Sequence, residues 1–421
     1  MGRAVVIGGG IGGLTSGIAL RRKGWDVTVL ERAAALEPVG AGVAVAANAL
    51  KALDVIGLGD RVRELSRIQG QVGVRQQNGR WLTHTTEDKA QKLYGDSIVI
   101  LLRATLVELL IESLGHERLR LNTTVTGVDA GQGIVRTGAG DMEADLIVAA
   151  DGIHSATRTA LFPEHPGPVY SGVTAWRGLV PALDREVPST ETWGRGLVFG
   201  AHQLNDELIY YYATDLSPAG AVHADERAEL LRRFGGWHDP IPALIRASDN
   251  ARILRNDLYY FDTPLPAMHR GRVALVGDAA HPMTPNLGQG ACQAIEDAVV
   301  LALTVCGDFW INGGSPGRHL DANGAGGHLD ANDPGGHLGA GGGLAAYTAA
   351  RLERTAGIVR QAMTICKVTK LRNPVAVGLR NAGVALASRI TPDLMLRSMN
   401  EILGWRPPRQ AGSDQGPAAR V

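Results

Sequence analysis

A glycine turn near the start of the chain sets the first limit on its fold. Ala4-Val5-Val6-Ile7 is a short apolar run, Gly8-Gly9-Gly10-Ile11-Gly12-Gly13 follows it at once, and a helical stretch continues to Lys23. In a strand, turn and helix of this kind the first glycine, Gly8, takes the tight turn. The second, Gly10, lets a pyrophosphate approach the backbone, and the third, Gly13, lets the helix pack close to the strand. Ile11 and Gly12 open that helix, whose first N–H groups are unpaired and carry about half a positive charge toward the phosphates. After Gly24 the run Val27-Thr28-Val29-Leu30-Glu31 gives a second strand and closes a β-α-β unit of the Rossmann type. Glu31 ends that strand 21 residues after Gly10, with Arg32 beside it, where its carboxylate can accept hydrogen bonds from a ribose diol.

Alone, this turn fits NAD as well as FAD. A second turn discriminates. Arg272-Val273-Ala274-Leu275-Val276-Gly277-Asp278 reads as another buried strand ending in a turn, followed by Pro285-Asn286-Leu287-Gly288-Gln289-Gly290 and a helix from near Ala291. A nicotinamide-only enzyme has no use for so distant a turn, whereas FAD needs a carboxylate, Asp278, for its ribityl hydroxyls. Pro285 sets the later loop, and Gly288, Gln289 and Gly290 offer backbone N–H groups to a ring with little side chain in the way. The helix dipole behind them would stabilise a reduced, anionic flavin. One cofactor long enough to touch both turns is FAD.

The 421 residues allow two to three domain-sized units, and 45% hydrophobic residues supply the core. Forty-two basic residues balance forty-two acidic ones, so no long-range field favours nucleic acid or an anionic membrane, and small molecules are the expected partners. The three cysteines, Cys292, Cys306 and Cys366, are too scattered for a metal cluster or a disulfide framework, and no metal is expected. No apolar run approaches a membrane span and no leader is evident, so a cytoplasmic protein is expected. An α/β fold follows, with an FAD-binding domain over 1–68, 98–165 and 269–345. The strands and aromatics of 69–97 and 166–268 form an inserted β-rich substrate domain. Residues 344–404 form a C-terminal helical region, and 405–421 a disordered tail. Within 312–343 a His-Leu-Asp-Ala-Asn motif recurs with a nine-residue period, and this Gly-rich composition reads as a flexible insertion rather than a calcium-binding roll.

The two turns, together with Ala150-Asp151-Gly152-Ile153-His154-Ser155 and Arg158, and with Gly277-Asp278-Ala279-Ala280-His281-Pro282, resemble the class A flavoprotein monooxygenases, the para-hydroxybenzoate and salicylate hydroxylase-like group. Order, spacing and flanks agree across nearly the whole chain; the nonapeptide insertion is foreign to that pattern. The resemblance implies a flavin reduced transiently by NADH or NADPH, which forms a C4a-hydroperoxide with dioxygen and passes oxygen to an aromatic or polyketide-like substrate. It also implies that Arg103 reaches the pyrophosphate, that Asp151-Gly152 serves FAD and the nicotinamide, and that Gly40-Ala41-Gly42-Val43 lines the other flavin face. Val125 joins this cofactor set. Trp176, Arg195 and Tyr211 are the candidates for the substrate pocket, since the family layout turns their strands toward the flavin. His281 and Tyr211 are weak candidates for proton transfer; no base is named. A flavin-dependent alkene epoxidase or isoprenoid reductase is the alternative, a non-catalytic flavin-binding protein a more distant one, and the oligomer is a monomer or homodimer.

Overall fold

The computed structural model describes residues 1–36, 42–65, 71–307, 319–320, 326–327, 340–390 and 399–408. Gly40 and Ala41, almost all of the nonapeptide insertion and the end of the tail therefore lie outside the described residues. Of the insertion, His319–Leu320 and Gly326–Gly327 are described, as a pair of two-residue antiparallel strands, and 340–343, as the start of the helix Ala340–Thr369.

The first sheet has six strands, in the order His269–Arg270, Val273–Leu275, Leu146–Ala149, Arg3–Ile7, Asp26–Leu30 and Leu119–Arg120. All neighbours run parallel except His269–Arg270, the antiparallel edge. Its strands are short apolar runs because helices cover both faces. The helix Ile11–Arg22 packs against Gly290–Val305 and Arg103–Leu114, and Leu14, Ile18 and Leu20 are fully buried among them. Leu119–Arg120 and Leu146–Ala149 join this parallel sheet, while Val125–Asp129, Ile134–Thr137 and Gly140–Glu143 form a separate antiparallel sheet.

The second sheet has seven strands, in the order Leu254–Tyr260, Val169–Pro181, Leu208–Leu216, Leu197–Gln203, Thr190–Trp193, Gln71–Gln76 and Trp81–Thr86. Only Thr190–Trp193 and Gln71–Gln76 pair in parallel. One face of this sheet is closed by the helices Glu226–Phe234 and Ile241–Arg246, which bury Leu230, Phe234, Leu244 and Ile245 against Trp176, Phe199 and Tyr211. Since successive side chains on a strand point to opposite faces, the neighbours of those residues must point the other way, toward the first sheet. A two-stranded ribbon, Gly42–Val45 with Val99–Leu102, lies between the sheets.

Helices follow the second sheet and the late glycine loop. Ala340–Thr369 runs for 30 residues, Asn373 caps its successor by accepting from the Val375 and Ala376 N–H groups, and Pro374–Ile390 follows. Among the described residues no helix is long and apolar enough to cross a membrane.

Candidate active site

A single cavity of about 1770 Å³ runs from the Gly8–Gly12 turn to the second sheet. Every described residue that the sequence assigns to the cofactor lines it except Gly13. At Gly8, with φ +107°, a Cβ would lie 2.3 Å from the Ala150 carbonyl oxygen, so the turn is closed to any side chain. At Gly13 a Cβ would lie 1.9 Å from the Gly8 carbonyl oxygen, which makes that glycine a packing requirement rather than a lining residue. Gly10 differs: a Cβ there would meet nothing within 4 Å, because the space in front of it is the cavity. The helix Ile11–Arg22 begins at Gly10 without a side-chain cap, leaving its first N–H groups available. Glu31 is already held, its Oε2 accepting from the Gly9 N–H at 2.7 Å and its Oε1 from Ala33 at 2.8 Å. Each oxygen keeps a second lone pair.

The distant turn completes this half. Asp278 opens onto the cavity yet is closely surrounded by protein; that burial raises its carboxyl above the ordinary range, with the charges of His281 and Arg103 opposing the shift. Asp151 accepts from the Thr157 N–H through Oδ2, and its buried Oδ1 has no partner. Arg158 ties the two segments together, donating to the Ile153 carbonyl at 2.8 Å and the Ala279 carbonyl at 3.3 Å. These features fit a long, anionic, hydroxyl-rich ligand: uncapped N–H donors at one end, an unpartnered carboxylate oxygen midway, a second carboxylate beyond it.

Beneath the turn and the Pro285–Gly290 loop lies a buried charged network. The Gly277 N–H and His281 Nε2 meet Asp297 Oδ2 at 2.9 and 2.5 Å, and Arg351 Nε donates to Asp297 Oδ1 at 2.7 Å. Arg351 Nη1 donates to Glu296, to which Arg354 adds two bonds of 2.8 and 2.9 Å. Burial alone would raise Asp297, but His281 and Arg351 overcome it and hold the carboxyl at about 2. Asn48 Nδ2 bridges Glu296 and Gln289, so the network reaches the loop as well. His281, a weak candidate for proton transfer, belongs to this network and does not line the cavity.

The far wall is the second sheet. Its cavity face carries Ala175, Arg177, Glu191, His202, Tyr210, Tyr212, Thr214, Leu254 and Asn256. One cross-strand row pairs Glu191 with Gly200, Gly200 with Tyr212, Tyr212 with Arg177 and Arg177 with Leu254. A Cβ on Gly200 would lie 2.2 Å from Tyr212 Cζ, so glycine there lets the tyrosine ring cross the intervening strand. The Tyr212 hydroxyl donates to Glu191 Oε1, and Trp193 Nε1 donates to Glu191 Oε2 at 2.9 Å. Gly42 likewise makes room for Tyr210, whose Cδ1 would be 2.4 Å from an added Cβ. Burial raises the Tyr210 phenol, with Arg177 opposing, and Arg177 donates to Asn256 Oδ1 at 2.9 Å. His202 stacks 6.4 Å from Tyr210 and 5.9 Å from Tyr212, and its buried Nδ1 has no partner. Burial lowers that imidazole to about 4, so it is neutral at physiological pH.

The three pocket candidates from the sequence lie elsewhere. Trp176 and Tyr211 are fully buried on the opposite face, Trp176 Nε1 donating to Glu226 at 2.7 Å and the Tyr211 hydroxyl meeting Ser248 Oγ at 2.7 Å. Each is one residue from a side chain that does line the cavity, Arg177 and Tyr210 or Tyr212, and a shift of one residue on a strand exchanges the faces. Arg195 is exposed in the turn between Thr190–Trp193 and Leu197–Gln203, away from the cavity. Glu191 and His202 carried no local signal; Gly200, opposite a tyrosine, was the available hint.

The family model described as FAD binding domain matches residues 2–191 and 257–307. Aurachin C monooxygenase/isomerase of Stigmatella aurantiaca is 42% identical over 305 residues, covering 71% of this chain and 79% of the relative. FAD-dependent urate hydroxylase of Mycolicibacterium vanbaalenii is 31% identical over 387 residues, covering 88% and 90%. The structure of Klebsiella pneumoniae HpxO complexed with FAD and uric acid superposes with a TM-score of 0.80 at 26% identity, over 95% of this chain and 96% of that one.

Proposed function

Because this chain belongs to the FAD-dependent aromatic monooxygenases, we propose that it hydroxylates a small, flat, electron-rich aromatic or polyketide-like compound held between the Pro285–Gly290 loop and the second sheet. FAD is its cofactor and NAD(P)H the transient reductant, and bound FAD supplies the oxygen-activating chemistry. The observation that carries the substrate reading is the continuity of one cavity from the glycine turn to a floor of tyrosines with polar tips.

The chain's own residues divide the work. The uncapped N–H groups at Gly10–Gly12 and the Arg103 guanidinium bind the pyrophosphate, and Glu31, with Arg32 beside it, takes a ribose diol. Asp278 takes ribityl hydroxyls. Gly288, Gln289 and Gly290 would present backbone to the flavin, and Gly42, Val43, Val125 and Asp151-Gly152, which line the same cavity, would complete its site. On the far wall, Tyr210 and Tyr212 support the acceptor ring, Arg177 faces an anionic edge, and neutral His202 offers an unpartnered ring nitrogen to a polar group. Enclosure by apolar wall residues such as Ala44, Ile100 and Leu254 excludes water from the reacting edge. A protic floor of this kind suits a hydroxylated or nitrogenous aromatic better than the bare alkene of the epoxidase alternative.

The test is oxygen and NAD(P)H consumption by the FAD-loaded protein with salicylate, urate, 2-naphthol and 4-hydroxyquinoline. Stimulation by at least one, with one atom of labelled dioxygen in the product, is expected. Absence of stimulation by all four would remove the aromatic reading.

A further inference from the structure

Glu191 is a carboxyl group on the acceptor wall that cofactor binding does not use. Its two hydrogen-bond donors, the Tyr212 hydroxyl and Trp193 Nε1, are both neutral. Among the described residues it forms no ion pair, and burial raises its carboxyl above the ordinary range. A carboxylate held without a countercharge in an aromatic chamber is costly.

Three features direct this acid toward the cavity. Glu191 and Tyr212 both line it. They belong to one cross-strand row, and the residue between them is Gly200, so the tyrosine ring lies across the strand to reach the carboxyl. The Tyr212 hydroxyl spends its proton on Glu191 and keeps its lone pairs for a donor arriving from the cavity. Arg177 follows Tyr212 in the same row, placed to face an anion formed there.

Resting on the hydroxylase reading above, we infer that Glu191, acting through Tyr212, removes the proton of an acidic ring hydroxyl or N–H, so that the substrates are phenols, hydroxylated heteroaromatics and lactams rather than their alkylated counterparts. The substrate O–H or N–H bond breaks as its proton passes to Tyr212 Oη, and the Tyr212 proton passes to Glu191 Oε1. Glu191 becomes neutral, the substrate becomes an anion richer in ring electron density, and no electron changes hands. The other titratable groups around this pair are Tyr210 and His202 in the adjoining row, Arg177 beyond Tyr212, and Arg380 of the helix Pro374–Ile390, whose guanidinium lies 5.4 Å over the Trp193 ring; the ribbon between the sheets presents apolar Ala44 and Ile100.

The experiment uses FAD-loaded native protein and Glu191→Gln, with the most stimulating of the four aromatics named above and its methylated counterpart. Native protein should turn over the parent and not the methylated compound. Glu191→Gln should retain flavin, lose about 10²-fold in kcat near neutral pH and recover as rising pH ionises the free substrate. Proton release on ligand binding, from calorimetry in two buffers of different ionisation heat, should be near zero for native protein. It should approach one per anion bound in the variant. Should Glu191→Gln fail to hold FAD, Tyr212→Phe measured the same way should show the same loss and the same alkaline recovery. An unchanged pH profile in either variant, or equal turnover of the methylated compound, would overturn the relay while leaving the hydroxylase reading intact. If no aromatic stimulates native protein, the underlying reading fails and the relay with it.

Discussion

The two ends of the cavity are built by different means. The cofactor end is made largely of backbone: a turn at Gly8 that excludes any side chain, a helix start at Gly10 without a cap, and a loop at Gly288–Gly290. The acceptor end is made of side chains, Arg177, Glu191, His202, Tyr210 and Tyr212, drawn from four strands of one sheet. Backbone sites tolerate little change where, as at Gly8 and Gly288, a positive φ favours glycine. Side-chain sites can be rewritten one position at a time without disturbing the strand beneath. On the proposed reading, the cofactor end sets the reaction class, and the acceptor end sets what is hydroxylated.

The largest expected break between the two ends comes from the network beneath the cofactor turn. Arg351→Met leaves Glu296 and Asp297 buried with less compensation, which should cost about 3–5 kcal/mol in denaturant unfolding and lower flavin occupancy with it. A loss under 1 kcal/mol would mean that the network does not support the turn. Next in size, Asp278→Ala removes a charged acceptor. FAD affinity, followed by flavin fluorescence, should weaken by about 1.5–3 kcal/mol, whereas an unchanged dissociation constant would take Asp278 out of the ribityl site.

A matched pair of glycines offers the smallest and sharpest comparison. A Cβ at Gly178 would lie 2.4 Å from Tyr211 Cζ on the closed face, and one at Gly200 would lie 2.2 Å from Tyr212 Cζ on the cavity face. Gly178→Ala should cost about 1–3 kcal/mol of stability through overpacking. Gly200→Ala should cost less stability, because its ring can yield into the cavity, and should act instead on kcat with the aromatic substrate. Equal thermal shifts and equal kinetics for the two would erase the distinction between the faces.

This contrast also explains what could be read from the sequence. Gly8, Gly10, Glu31, Asp278 and Gly288 were legible because strand, turn and helix order is local and each position has one chemical reason. The Rossmann-type fold followed from the same local order. The acceptor wall was not legible, because both faces of its strands carry large aromatic residues: Tyr210, Tyr211 and Tyr212 are consecutive, and nothing local says which of them faces the cavity. Trp176 and Tyr211 lie on strands that do face the cavity, but the helices Glu226–Phe234 and Ile241–Arg246, which pack behind the sheet, assign these two side chains to the core. Gly13 shows the converse, a motif residue whose requirement is helix packing and not ligand contact.

The division into a backbone-built cofactor end and a side-chain-built acceptor end is tested most directly by a crystal structure of the FAD-loaded protein. The expected result is a pyrophosphate at the N–H groups of Gly10–Gly12, Asp278 on the ribityl chain, and the flavin ring between Gly288–Gly290 and the row of Glu191, Tyr212 and Arg177. A ring lying away from that row, with Glu191 and Tyr212 remote from any space beside it, would contradict the account.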